Sequence, residues 1–123
     1  MEFIGVAFIS GKFRGENHWQ IHLNVLEAEA AIPKLIELGY APICPHKITE
    51  HLQDLYPDQT YLDMCLELIR ALRPEKDVMF MLDGWQESQG AREEYNLAID
   101  LGITIMGEGD YDKSNQKIYR TRS

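Results

Sequence analysis

The chain lacks the features that announce many functional classes. In 123 residues it has two cysteines, Cys44 and Cys65, and neither sits in a C-x-x-C pair or a zinc-ligand spacing. A disulfide scaffold is therefore not expected, and a reduced, cytoplasmic protein is the simplest reading. Basic residues are scarce, 12 against 20 acidic ones, for a net charge of −8. A field of that sign repels phosphate backbones, which argues against non-specific nucleic-acid binding. No apolar run approaches the roughly 18 residues of a membrane span. The first residues, Met1-Glu2-Phe3-Ile4, carry no basic segment of the secretory type. Repeats, low-complexity segments, GxxxxGK[ST], GxGxxG and HExxH are all missing. His18 and His22 stand four apart without a third ligand at suggestive spacing, so no metal site is expected.

What is present is an ordinary globular composition, 45% hydrophobic and 26% charged, enough for one domain with its own core. Apolar runs of strand length alternate with stretches of helical period. Phe3 to Ile9 is nearly all apolar, as a strand buried on both faces should be. A helix is predicted from about Asn17 to Leu38, with Trp19, Leu23, Leu26, Ala30 and Ala31 on one face. Pro33 should interrupt or kink it, and Gly39 should cap it. Ala41–Cys44 reads as a second strand, and His46 to about Gln59 as a polar loop. Tyr61–Leu72 reads as a helix and Asp77–Leu82 as a third strand. Ser88 to about Leu101 reads as a helix ended by Gly102, and Ile103–Met106 as a fourth strand. Beyond Gly107 only Ile118 and Tyr119 hint at a further strand. The order βαβαβαβ implies an α/β fold: a single-domain three-layer sandwich around a four- or five-stranded parallel sheet. Ligands of such sheets sit beyond the C-terminal strand ends, which directs attention to the loops after Ile9, Cys44 and Leu82.

Candidate chemistry gathers on those loops. Ser88 is a good N-cap, and Gly90 and Ala91 leave the helix start accessible to an anion. Along that helix Ala91, Tyr95, Ala98 and Leu101 mark the face toward the sheet. Glu94 falls on the same face, whereas Glu93 points elsewhere with Asn96 and Asp100. A carboxylate on a core-facing stripe is either catalytic, or reaches the rim or pairs with an arginine. In Ser10-Gly11-Lys12-Phe13-Arg14-Gly15, glycines permit close approach to a ligand. Arg14 there either grips a phosphate or carboxylate or lies on the surface. His46, after Pro45, is a ligand contact or a surface loop residue. Trp85, after Asp83-Gly84, either stacks on a planar ligand or packs over the sheet edge.

Taken together, these segments resemble the nucleoside 2-deoxyribosyltransferase-like superfamily, in particular its small, uncharacterised phage and bacterial branch. The residues that carry the resemblance are Ile9-Ser10-Gly11-Lys12-Phe13-Arg14-Gly15, Leu38-Gly39-Tyr40 with Pro45-His46, and above all Gly84-Trp85-Gln86-Glu87-Ser88-Gln89-Gly90-Ala91-Arg92-Glu93-Glu94. The resemblance runs from the first strand to about Met106. It implies a flavodoxin/Rossmann-like domain over residues 1–112 followed by a short basic tail, 113–123.

The resemblance also implies a chemistry. A glutamate on the last helix, here Glu94, attacks C1′ of a nucleoside or nucleoside 5′-monophosphate. The base leaves, and water or a second base resolves the glycosyl-enzyme. Ser10, Gly11, Arg14, Phe8, His46, Trp85, Ser88 and Gly90 would contact the substrate. No cofactor is implied, and the partners are the small-molecule substrate and other copies of the chain in a homo-oligomer. Two positions depart from the pattern. A tyrosine late in the first strand is replaced by Phe8. The aspartate of the middle helix falls at Cys65, or at Asp63 in another helix register, with Asp83 a further source of a carboxylate. The departures leave a second class open, a nucleotide-binding module of the same fold that does not turn its ligand over.

Overall fold

A computed structural model of the chain describes residues 1–52, 54–112 and 117–118. Four strands form one parallel sheet: β1 (Gly5–Ser10), β2 (Tyr40–Ile43), β3 (Val78–Met81) and β4 (Thr104–Gly107), in the order β2-β1-β3-β4. The helices are α1 (His18–Glu37), α2 (Pro45–Thr49), α3 (Asp58–Arg70) and α4 (Gln89–Asp100). The fold is thus the α/β sandwich expected, with four parallel strands rather than five. Past Gly107, β5 (Tyr111–Asp112) and β6 (Lys117–Ile118) pair antiparallel with each other, apart from the main sheet. The rest of the predicted basic tail lies outside the described residues.

Residues alternate across β1 because successive side chains of a strand point to opposite faces. Ala7 and Ile9 join Ala28, Ala31 and Leu35 of α1 in one core. Phe8 joins Cys65 and Ile69 of α3 and Ala98 of α4 in the other. β3 follows suit, with Val78 and Phe80 toward α1 and Met79 and Met81 toward α3 and α4. Ser10 continues the Phe8 side, so its hydroxyl points toward α4. The chain leaves β1 for β2 in one direction and leaves β3 for β4 in the other. The gap between β1 and β3 is therefore the switch point, where a cleft opens above the strand ends.

Several local expectations are corrected. The buried face of α1 is Ile21, Asn24, Val25, Ala28, Ala31 and Leu35. Of the predicted face only Ala31 is buried, and Trp19, Leu23 and Leu26 are exposed. The helix carries apolar residues on two stripes, and the sheet takes the one that includes Asn24. Pro33 does not interrupt α1, which runs on to Glu37 with Leu35 fully buried beneath its last turn. The helix ends as predicted, with Gly39 at φ 95° after α1, and Gly102 at φ 75° does the same after α4. The predicted loop after Cys44 contains α2, for which Pro45 sits at the first helical position, where its missing N–H is harmless. α3 begins at Asp58, earlier than its apolar spacing indicated. No helix among the described residues is long and apolar enough to cross a membrane.

One polar cluster fastens the sheet's far end. The Asp77 carboxylate accepts hydrogen bonds from Val6 N, Arg73 N and the Arg73 guanidinium at 2.7–2.9 Å. Burial alone would raise the Asp77 pKa, but these donors together hold it below the ordinary carboxylate value.

Candidate active site

A cavity of about 420 Å³ opens above the C-terminal ends of β1, β2 and β3. That is within the range of small-molecule sites. Its walls come from the residues after β1, from α2, from the first turns of α3 and from the segment Glu87–Glu94. All three predicted loops contribute. Of the α3 contribution, Asp58 was hidden by the late helix start read from the sequence, whereas Tyr61, Leu62 and Cys65 fall inside the predicted Tyr61–Leu72 helix.

Glu94 lies at the buried end of this cavity. It is 9% exposed, and its Oε1 accepts a hydrogen bond of 2.6 Å from the Ser10 hydroxyl. Burial raises its pKa to about 7. Hydrogen bonding from Ser10 and Cys65 pulls the other way, and the Glu93 charge adds to the rise. Facing it from α3 is Cys65, whose thiol is held well above its ordinary pKa by burial and by the Glu94 charge. Glu94 is thus poised between carboxyl and carboxylate near neutrality, the condition under which one group serves as nucleophile or proton carrier.

The start of α4 borders the same cavity. Ser88 caps the helix, its Oγ accepting from Ala91 N at 3.2 Å. The first-turn N–H groups of a helix have no partner within it, and the dipole favours an anion there. Two cations of the β1 loop stand nearby, each held by a carboxylate from another wall. Lys12 Nζ pairs with Glu87 at 2.8 Å, and Arg14 pairs with Asp58. The Asp58 and Glu87 side chains are well exposed, so these pairs hold weakly and an incoming anion can displace the carboxylates. Gly11 allows the loop to turn against β3. A Cβ there would stand 2.8 Å from Leu82 Cβ, closer than carbon atoms pack. Asn24 holds the loop from below, its amide donating to the carbonyls of Phe13 at 3.1 Å and Arg14 at 3.2 Å. The sequence did hold a signal for Asn24, a polar residue on an otherwise apolar stripe with Ile21, Val25 and Ala28.

The cavity brings together Glu94, Gly11, Arg14, His46, Ser88 and Gly90, with Ser10 bonded to Glu94 from behind. It does not gather the rest of the expected set. Phe8 is fully buried in the core beneath α3 and α4 and does not line the cavity. Asp63 points away on the exposed side of α3 and accepts from Gln59 at 2.8 Å, so Cys65 holds the position opposite Glu94. Asp83 is exposed outside the cavity, at a turn where its N–H donates to Glu108. Trp85 stacks on Tyr95 at 4.5 Å and 24°, which is the packing role rather than the ligand-stacking one. His46 is no surface residue but 5% exposed in the cavity wall. His18 lies 3.6 Å from Asp54, and His22 packs on Trp19. Among the described residues no group of three or more His, Cys, Asp or Glu is placed to hold a metal ion.

No curated protein and no solved structure matches the chain. Residues 6–107, which span the four-stranded sheet but for Gly5 and every wall of the cavity, match a sequence family described as a domain of unknown function, DUF4406. That match covers most of the chain, and the protein belongs to the DUF4406 family.

Proposed function

We propose that the chain cleaves the N-glycosidic bond of a nucleoside or nucleoside 5′-monophosphate, passing the sugar to water or to a second base. The observation that carries this reading is Glu94. It is the carboxylate at the buried end of a cavity, held by Ser10 and titrating near neutrality one turn inside the Ser88-capped start of α4. In the first step a Glu94 oxygen forms a bond to C1′ while the C1′–N bond breaks. The electron pair leaves with the base, which takes a proton from water in the open cavity. In the second step water, or a base nitrogen, attacks C1′ and gives up its proton to the hydroxide left in the cavity by the first step, while the ester bond to Glu94 breaks and returns the carboxylate. Ser10 favours the ionised form against burial and aims it, since its hydroxyl donates to the carboxylate. The α4 start with Arg14 and Lys12 supports a phosphorylated substrate over a bare nucleoside.

A second reading, a nucleotide-binding module without turnover, is favoured by Cys65. A thiol with so high a pKa is a poor acid for the leaving base, and Phe8 has no proton to offer. The test is base release. The protein and Glu94→Ala are incubated with deoxyribonucleosides and their 5′-monophosphates, with a second free base added in parallel. Release that vanishes in the variant supports the enzyme, and exchange makes it a transferase. Binding without release supports the module.

A further inference from the structure

The sheet takes one of the two apolar stripes of α1, and the other faces outward. It consists of Trp19, Leu23, Leu26, Ala30 and Pro33, all exposed. Their spacing alternates four and three residues, the heptad rhythm of a helix that packs along a second helix. Trp19 is 66% exposed and Leu26 45%. No charged side chain interrupts the strip, although the chain carries a net charge of −8. The cores of protein interfaces are depleted of charge in the same way. α2 lies alongside, tied to α1 where Lys47 reaches Glu29 at 3.6 Å, and adds the exposed Ile48. Together these side chains expose on the order of 500 Å², at the large end of what a monomer leaves open. Flanking polar residues bring the footprint to about 800 Å² per partner, the size of a stable interface.

The strip is uneven along its length. Its large members, Trp19 and Leu23, occupy the N-terminal half of the helix, and its small ones, Ala30 and Pro33, the C-terminal half. Leu26, Glu29, Ala30 and Pro33 stand at i, i+3, i+4 and i+7 and line, with Ile32, a shallow groove of about 480 Å³. Four residues so spaced form the hole that receives a knob from a facing helix. Laid antiparallel about a two-fold axis at Leu26, a second copy puts its Leu23 into this groove and its Trp19 over Pro33, and the axis repeats both contacts. It also sets its His22 beside Glu29. A parallel pairing stacks Trp19 on Trp19 and leaves Ala30 facing Ala30 across a void.

We propose that this strip is the interface of a homodimer in which two α1 helices pack antiparallel across a two-fold axis at Leu26. No residue of the strip lines the cavity, and the inference stands apart from the chemistry proposed above.

Sedimentation equilibrium on the full chain tests it. At about 100 μM the parent should show twice the mass of one chain. Leu26→Glu sets two like charges against each other on the axis and should raise the dissociation constant about a hundredfold. Leu26→Lys should do the same. An equimolar mixture of the two sets Glu against Lys and should associate more tightly than either variant alone. Leu26 is exposed on its own chain, so the variants should keep the parent's far-ultraviolet circular dichroism. Cysteine pairing reads the direction. Leu26→Cys should oxidise to a linked dimer by itself, and Leu23→Cys should link faster to Ala30→Cys than to itself. Cys44 and Cys65 are buried and do not compete. A parent that stays a single chain at that concentration leaves the strip to some other partner and overturns the proposal. So does a dimer that Leu26→Glu leaves intact, or a mixture no tighter than its components. Leu23→Cys that links to itself faster than to Ala30→Cys overturns the antiparallel arrangement.

Discussion

The Ser10 hydroxyl donates to Glu94 Oε1 at 2.6 Å, joining the last residue of the first strand to the second turn of the last helix. That bond is the main support for a carboxylate that burial would otherwise neutralise. Ser10→Ala removes it and raises the Glu94 pKa further. If Glu94 is the nucleophile, kcat/KM climbs with pH as the group ionises near pH 7. In the variant the ascending limb moves up by about one pH unit, the worth of one hydrogen bond to a charged group. A pH–rate profile of both proteins checks this, and an unmoved limb assigns the titration to another group.

Glu94 also strains the fold. Its pKa rises from 4.5 to about 7 on folding. Between those values the unfolded chain has released its proton and the folded chain still holds one, so stability falls as pH rises. The loss totals about 3 kcal/mol and is complete above pH 7. Glu94→Gln keeps an oxygen for Ser10 and has nothing to ionise. Its melting temperature should exceed the parent's by up to about 10 °C at pH 8 and by little at pH 5. Thermal melts at the two values read the difference, and base release in the same variant should be lost.

Asp77 behaves in the opposite sense. Its folded pKa lies below the ordinary value of 3.8, so the stability it contributes is present above that value and lost as pH falls through the folded one. Asp77→Ala strands Val6 N and Arg73 at once, and should destabilise by about 3 kcal/mol at pH 7. Urea unfolding of both chains at pH 7 and pH 3 checks it. The gap should be full at the first and shrink at the second.

The Arg14–Asp58 pair makes a prediction about phosphate. Arg14→Ala should raise KM for a 5′-monophosphate about tenfold while leaving the matching nucleoside unchanged. Asp58→Ala frees Arg14 and should lower the same KM a few-fold. Steady-state kinetics on the phosphorylated and unphosphorylated substrates separates these from a general loss of activity.

Much of the architecture was legible because its signals are local. The buried strands β1 and β3 were legible in the apolar runs Phe3–Ile9 and Asp77–Leu82, although Phe3 and Ile4 prove exposed and outside β1, and Ser88, Gly39 and Gly102 mark helix ends by backbone chemistry. Glu94 was legible because it interrupts an apolar stripe at helical spacing. The face of α1 was not, since it has two apolar stripes and only the docked sheet decides between them. Nor was the partnership of Glu94 with Cys65 rather than Asp63. Two residues on one helix point some 200° apart, and the register is fixed by how α3 lies on β1 and α4. The burial of His46 depends on α2, five residues whose helical turn leaves no periodic trace.

The Ser10–Glu94 link has a consequence for the newly made chain. Its partners are 84 positions apart, and they meet only where α4 packs beside β1. Contacts of such long reach form late and slowly. Before α4 is made, Ser10 has nothing to hold and the cavity lacks its buried carboxylate. A fragment that stops short of Glu94 has no buried carboxylate to ionise, so the reactivity proposed above requires the chain through α4.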